Sequence, residues 1–216
     1  MQDLIEIFCA GKTPMSWQDN LAPRLAAQFH FLIEIDKLKD VLRATHNLHN
    51  GKPENSAEHS WHLAMIASVL AEYANEPVSI DRVVRMLLIH DLVEIDAGDH
   101  PLHGDHDPQA QAEAEQAGAD RLFGLLPSDQ QDTWRALWDE FESAESPDAR
   151  FAKACDRFQP LICNMMNRGG SWPEYQVSRS QVEARVGKIQ TGSQTLWDVA
   201  EHIFDEGVSQ GWLKTP

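Results

Sequence analysis

Positive charge is scarce in this sequence. Lys and Arg total 18 against 34 Asp and Glu, a formal net charge of -16 at pH 7. Such a field repels polyanions, so tight non-specific binding to a nucleic-acid polymer is not expected. A small phosphorylated molecule remains admissible if a metal or a few local cations neutralise it. Cysteine is also rare: Cys9, Cys155 and Cys163 cannot all pair and show no CxxC spacing, which suits a reducing cytoplasm. No run of about 18 apolar residues is present to cross a membrane. The opening MQDLIEIFCAGKTP is acidic and lacks the basic start of a secretory leader. There is no alternating β pattern longer than a few residues, no internal repeat and no low-complexity segment. Histidine, by contrast, is in excess, with 10 copies.

What is present is helical periodicity along nearly all of the 216 residues, 42% of them hydrophobic, enough for one domain with a sizeable core. Leu25, Phe29, Leu32, Ile35, Leu38 and Leu42 predict an amphipathic helix over 21–44. After a polar break at 47–53, Asn55 or Ser56 caps a helix to about Asn75, and Ser79 caps another to about Val93. Residues 96–107, rich in Asp, His and Gly, read as a loop. Asp107-Pro108 opens a helix to about Leu126, Pro127-Ser128 one to about Phe141, and Ser146-Pro147 one to about Asn167. A turn over 168–173 precedes one or two helices ending near Gly207. The expected fold class is all-α, a single compact helical bundle.

On a wheel of roughly 100° per residue, Ile80, Val83, Val84, Leu87 and Leu88 form the apolar stripe of the helix from Ser79, and Asp91 falls close to its centre, flanked by His90 and Glu94. An ionised carboxylate on a core face is costly unless paired or metal-bound. His90-Asp91 with Glu94 is thus a candidate metal or acid–base site; a core Asp held by backbone donors or an Arg is the other reading. On the preceding helix, His59 lies about 50° from the middle of the face made by Leu63, Ile66, Ala67 and Leu70 and points inward, whereas His62, over 100° away, belongs at the rim. An inward histidine is a candidate ligand or simply a satisfied core residue.

Taken in order, Glu58-His59-Ser60, His90-Asp91-Leu92-Val93-Glu94, Gly98-Asp99 and Asp156 resemble the HD-domain metal-dependent phosphohydrolases, and most of all their 5'-deoxynucleotidase subgroup. The likeness runs from about Leu38 to Arg157 and includes ENSAEHSWHLA, HDLVEIDAGD, FGLLPSDQQDTWRALWDEFE and ARFAKACDRFQP. It implies a single HD domain over 1–216, with its motif core at about 38–157 and the C-terminal helices of 174–210 packed on it. It further implies that His59, His90, Asp91 and Asp156 bind one divalent cation. Mixed nitrogen and oxygen donors suit Mn, Co, Fe, Ni or Zn better than Ca. Periodicity alone leaves Asp156 open: it stands about 140° from the stripe of Phe151, Cys155, Phe158, Ile162 and Met165, where a solvated Asp fits equally well.

By the same resemblance Glu94 and Asp99 are catalytic, Glu94 exchanging a proton with the attacking water or the leaving alcohol, and Arg43 contacts phosphate or sugar. Asp99 is alternatively a loop cap, and Arg43 the charge that ends a helix. The implied activity is removal of the 5'-phosphate from deoxynucleoside monophosphates through a metal-activated water, in a cytoplasmic protein with a small-molecule partner and, in keeping with the family, a homodimeric form. The alternatives are hydrolysis of another small phosphorylated metabolite or a nucleoside triphosphate, or a catalytically silent binding module. His100, His103 and His106 read as solvated loop histidines in preference to a second metal site, and Trp61, Trp134 and Trp138 as helix-packing aromatics. The segment from Ser171 onward shows helices and no chemistry.

Overall fold

The computed structural model describes residues 20–100 and 107–215. The first helix, α1 (Pro23–Glu34), starts on a proline and is pinned to a later helix by a two-pronged contact of Arg24 with Asp129, at 2.7 and 2.8 Å. It stops well before residue 44. A 3-10 turn, Ile35–Asp40, follows, and the chain then extends into β1 (Leu42–His46), which pairs antiparallel with β2 (Pro53–Asn55). The expected 21–44 helix is therefore corrected: Leu25 and Leu32 are exposed, and Leu42 points outward on a strand. Because side chains alternate along a strand, β1 turns Arg43 and Thr45 inward, and β2 buries Glu54 between exposed Pro53 and half-buried Asn55.

Asn55 caps α2 (Ser56–Leu70) through a reciprocal capping box with Glu58. Ser56, His59, Ser60, Leu63, Ile66 and Ala67 form its buried face, the spacing of a single helical side. Trp61, on the opposite side, is 64% exposed, so it does not pack between helices; Trp138 does, fully buried, and Trp134 partly.

Helix α3 (Ile80–Ile89) buries Val83, Met86, Leu87 and Ile89, leaving Leu88 exposed. It does not reach Val93 as a regular helix. His90–Val93 form a 3-10 turn, and the short α4 (Glu94–Ala97) ends at Gly98. Asp107 accepts from the backbone of Gln109 to cap α5 (Pro108–Phe123), and the chain continues through α6 (Ser128–Ser143) and α7 (Pro147–Met166). The C-terminal part holds more helices than expected: α8 (Ser171–Glu174), α9 (Arg179–Val186), α10 (Lys188–Gly192) and α11 (Gln194–Ser209).

Helix α7 is the axis of the fold. It touches α2, α3, α6, β1, α10 and α11 and is buried on nearly every side, at Phe151, Cys155, Phe158 and Leu161 as well as at Ala152, Asp156 and Gln159. A helix wrapped all round has no solvated face. The fold is all-α apart from the β1–β2 ribbon, and among the described residues no helix is long and apolar enough to cross a membrane.

Candidate metal centre

Three segments deliver the site. His59 comes from α2, His90 and Asp91 from the 3-10 turn after α3, and Asp156 from the middle of α7, all of them buried. His59 Nε2 lies 3.2 Å from Asp156 Oδ1 and 4.0 Å from Asp91 Oδ2; His90 Nε2 lies 3.0 Å from Asp91 Oδ1 and 3.6 Å from Asp156 Oδ1. One donor atom each from His59, His90 and Asp91 can be chosen so that all lie within 4.8 Å of one another. The four residues that the resemblance marks as ligands meet at one place.

The outer contacts orient the rings. His90 Nδ1 is 2.9 Å from the Leu87 carbonyl oxygen, which only accepts, so Nδ1 carries a hydrogen and Nε2 is the nitrogen turned toward the aspartates. His59 Nδ1 stands 3.3 Å from Glu54 Oε2, a charge contact short of good hydrogen-bond geometry. Two imidazole nitrogens thus face carboxylate oxygens, and His90 Nε2 is buried without a hydrogen-bond partner among the described residues. Imidazole nitrogens packed against buried carboxylates call for a positive charge between them, a proton or a metal. Burial alone would lower the His90 pKa, but Asp91 and Asp156 lift it to about 10. Burial would likewise raise both aspartates, yet Asp91 is held low by His90 and Arg43, and Asp156 by its close contacts with His59 and His90. The donor set fits a divalent cation of the harder or borderline transition series.

The shell around these residues is built as firmly. Trp138 Nε1 donates to the His90 carbonyl at 3.1 Å, and the Phe141 ring meets the His90 imidazole edge-on at 4.9 Å. A Cβ on Gly118 of α5 would come within 3.0 Å of the Val93 carbonyl, so glycine lets α5 approach this turn closely. Glu54, which periodicity did not single out, is 2% exposed and accepts from Thr45 Oγ1 at 3.2 Å and from Gln159 Nε2 at 2.7 Å. Burial would raise its pKa, but contact with His59 and Arg43 holds it below the usual range. A short strand that hides one carboxylate beside an N-cap was its only sequence signal.

Arg43 sits inside the site rather than closing a helix. Its Nη1 is 2.7 Å from Asp91 Oδ2, 3.4 Å from Asp99 Oδ1 and 3.7 Å from Glu94 Oε1, and its Nε is 3.9 Å from Glu54. Glu94 accepts from Ser56 Oγ at 2.7 Å. Its pKa is raised well above the usual value by burial and by Asp91 and Asp99, with Arg43 opposing. Asp99 returns to the site because Gly98 adopts φ 77°, ψ 156°, a region essentially restricted to glycine. Burial raises Asp99 as well. These residues border a cavity of about 330 Å³ that also reaches Lys153, Arg157 and the C-terminal helices. His100 is exposed, with Nδ1 3.3 Å from the Gly98 carbonyl oxygen; His103 and His106 lie outside the described residues.

Comparison with known proteins agrees with this geometry. The HD domain family matches residues 35–197. The chain is 29% identical over 154 residues to the bovine (Bos taurus) 5'-deoxynucleotidase HDDC2, spanning 71% of this chain and 73% of that one. It is 29% identical over 190 residues to the 5'-deoxynucleotidase hdd1 of Schizosaccharomyces pombe, spanning 85% of each. A crystal structure described as a predicted metal-dependent phosphohydrolase from Magnetospirillum magnetotacticum MS-1 superposes with a TM-score of 0.83 at 51% identity, covering 89% of this chain and 96% of that one. With the family's match spanning most of the sequence, the chain belongs to the HD domain family.

Proposed function

We propose that this chain is a metal-dependent phosphomonoesterase that removes the 5'-phosphate from deoxynucleoside monophosphates. The observation that carries the reading is the approach of His59, His90 and Asp156, from three separate segments, to 3.2 and 3.6 Å, with Nε2 of both imidazoles turned toward the aspartates. The two relatives named as 5'-deoxynucleotidases and the phosphohydrolase neighbour support it. Charge supports it independently. One guanidinium, Arg43, faces Glu54, Asp91, Glu94 and Asp99, so the surroundings of Arg43 are net negative and disfavour a phosphate dianion without a further cation.

His59, His90, Asp91 and Asp156 would hold the cation, with Mn, Co, Fe, Ni and Zn all compatible with their donors. Bound there, the metal would offset the negative charge, polarise a phosphoryl oxygen and acidify water. Glu94, whose buried carboxyl keeps its proton to higher pH than usual, gives that proton to the leaving 5'-oxygen. Arg43 locks Asp91 and Asp99 in place. Asp99 stands at the cavity wall where it can accept from a sugar hydroxyl.

The test is phosphate release from ribo- and deoxynucleoside mono-, di- and triphosphates with each divalent ion in turn. The expected result is release from the 5'-deoxy monophosphates only. Release of triphosphate as one unit, or none from any compound with every metal, overturns the proposal.

A further inference from the structure

The cavity extends well beyond the histidines, and α7 runs along its length. Lys153, Asp156, Arg157, Pro160, Leu161 and Asn164 all border it, the spacing of one helical face. Asn164 is eight residues beyond Asp156, about 12 Å along the axis, a distance of the order of a nucleotide's span from phosphate to base edge. Ser171, which bonds Asn164, and Trp172 and Arg185, all from the C-terminal helices, border the same cavity. This is where the segment after 170, silent in the sequence, enters the site.

Asn164 is 5% exposed, and its orientation is decided by its neighbours. Its Oδ1 accepts from the Ser171 backbone N–H at 3.1 Å and from Ser171 Oγ at 3.3 Å. A backbone N–H only donates, so the carboxamide oxygen must face Ser171 and the NH2 must face away. That NH2 has no partner among the described residues, and the side chain borders the cavity. Gly170, at φ +49°, makes the arrangement possible, because a Cβ there would overlap Asn164 Oδ1. A clamped amide donor without a protein acceptor, on a side chain that borders the cavity, is placed to meet an acceptor brought by a ligand.

We propose that Asn164 is the fixed hydrogen-bond donor for the nucleobase of the substrate, giving its Nδ2 hydrogen to a ring nitrogen or carbonyl oxygen. This rests on the phosphomonoesterase reading and extends it to the end of the substrate remote from the phosphate. Every nucleobase offers such acceptors, so a lone donor distinguishes a base from no base and tolerates different bases.

The experiment compares hydrolysis of a deoxynucleoside 5'-monophosphate with that of 2-deoxyribose 5-phosphate, which has the same phosphate and sugar but no base, by the metal-loaded protein. Asn164→Asp keeps the shape and replaces the donor with an acceptor. It is expected to lose roughly ten- to a hundredfold in kcat/KM on the nucleotide, mostly through KM, and nothing on the sugar phosphate. Activity on the sugar phosphate also reports that the variant is folded, and Asn164→Ala repeats the comparison without a buried charge. Equal loss on both compounds, or unchanged activity on the nucleotide, overturns the assignment while leaving the phosphomonoesterase reading intact. Wild-type protein that hydrolyses neither compound overturns that reading and the assignment with it.

Discussion

Glu54 shows how much of the centre is decided one bond beyond the metal-facing atoms. Its carboxylate is anchored by Thr45 and Gln159 and faces His59 Nδ1 at 3.3 Å, on the side of the imidazole turned away from the aspartates. Such outer partners typically alter metal affinity by about 10- to 100-fold. Glu54→Gln keeps the shape and is expected to weaken metal binding by that factor, read by competition with a chromogenic chelator; unchanged affinity would remove Glu54 from the site. Glu94 has the opposite profile. Glu94→Gln is expected to lower kcat by roughly 10²- to 10⁴-fold with metal content unchanged, measured by metal analysis beside steady-state rates. His90, its pKa raised to about 10 by Asp91 and Asp156 over the effect of burial, is protonated throughout the neutral range, and a metal must displace that proton. Metal uptake is therefore expected to release protons, and apparent affinity to climb as pH rises toward 10. Calorimetry in buffers of different ionisation enthalpy measures the release, and zero release would contradict the arrangement.

At the scale of elements, the turn after α3 decides the chemistry. His90, Asp91, Leu92 and Val93 are consecutive and all buried, which a straight amphipathic helix does not achieve, since residues two apart face opposite sides. The tighter 3-10 geometry, packed from several directions by Trp138, Phe141 and Gly118, accommodates them. Gly98 then redirects the chain so that Asp99 returns. A Cβ on Gly98 would meet nothing within 4 Å, so any penalty there comes from backbone conformation alone. Gly98→Ala is expected to cost about 1–3 kcal/mol and to lower kcat through Asp99 while metal affinity holds. A urea titration, metal competition and rates check the three parts. The dyad, Glu94 and the Gly98-Asp99 turn were legible in the sequence because they lie within ten residues. The β1–β2 ribbon was not: LRATH and PEN are too short and too mixed to show a two-residue period, and Arg43 was therefore given a helical setting.

For the whole molecule, a chain at -16 gathers Asp91, Glu94, Asp99, Glu115, Glu142 and Asp156 around one cavity, where a divalent cation would offset part of that charge. Binding only to the folded state stabilises it by mass action. At a free metal concentration a hundredfold above Kd this amounts to about 2.7 kcal/mol, or roughly 5–10 °C in Tm for a protein of this size. Chelation should lower Tm by that amount and readdition restore it. A Tm indifferent to both would mean that the four donors do not bind metal in the folded chain.

The sequence by itself determined the helical class, the acidic character, the HD dyad with its following acids and an inward His59, because each depends on local spacing or composition. Only the tertiary structure decided Asp156, Arg43, Glu54 and Asn164. The wheel of α7 placed Asp156 away from the main apolar stripe, and it is buried nonetheless because neighbours enclose that helix on nearly every side. Arg43 and Glu54 owe their positions to strand pairing, and Asn164 its fixed orientation to Ser171 across a glycine turn. A one-dimensional pattern reports which face of an element avoids water; which buried polar groups meet is set by the packing of segments distant in the chain.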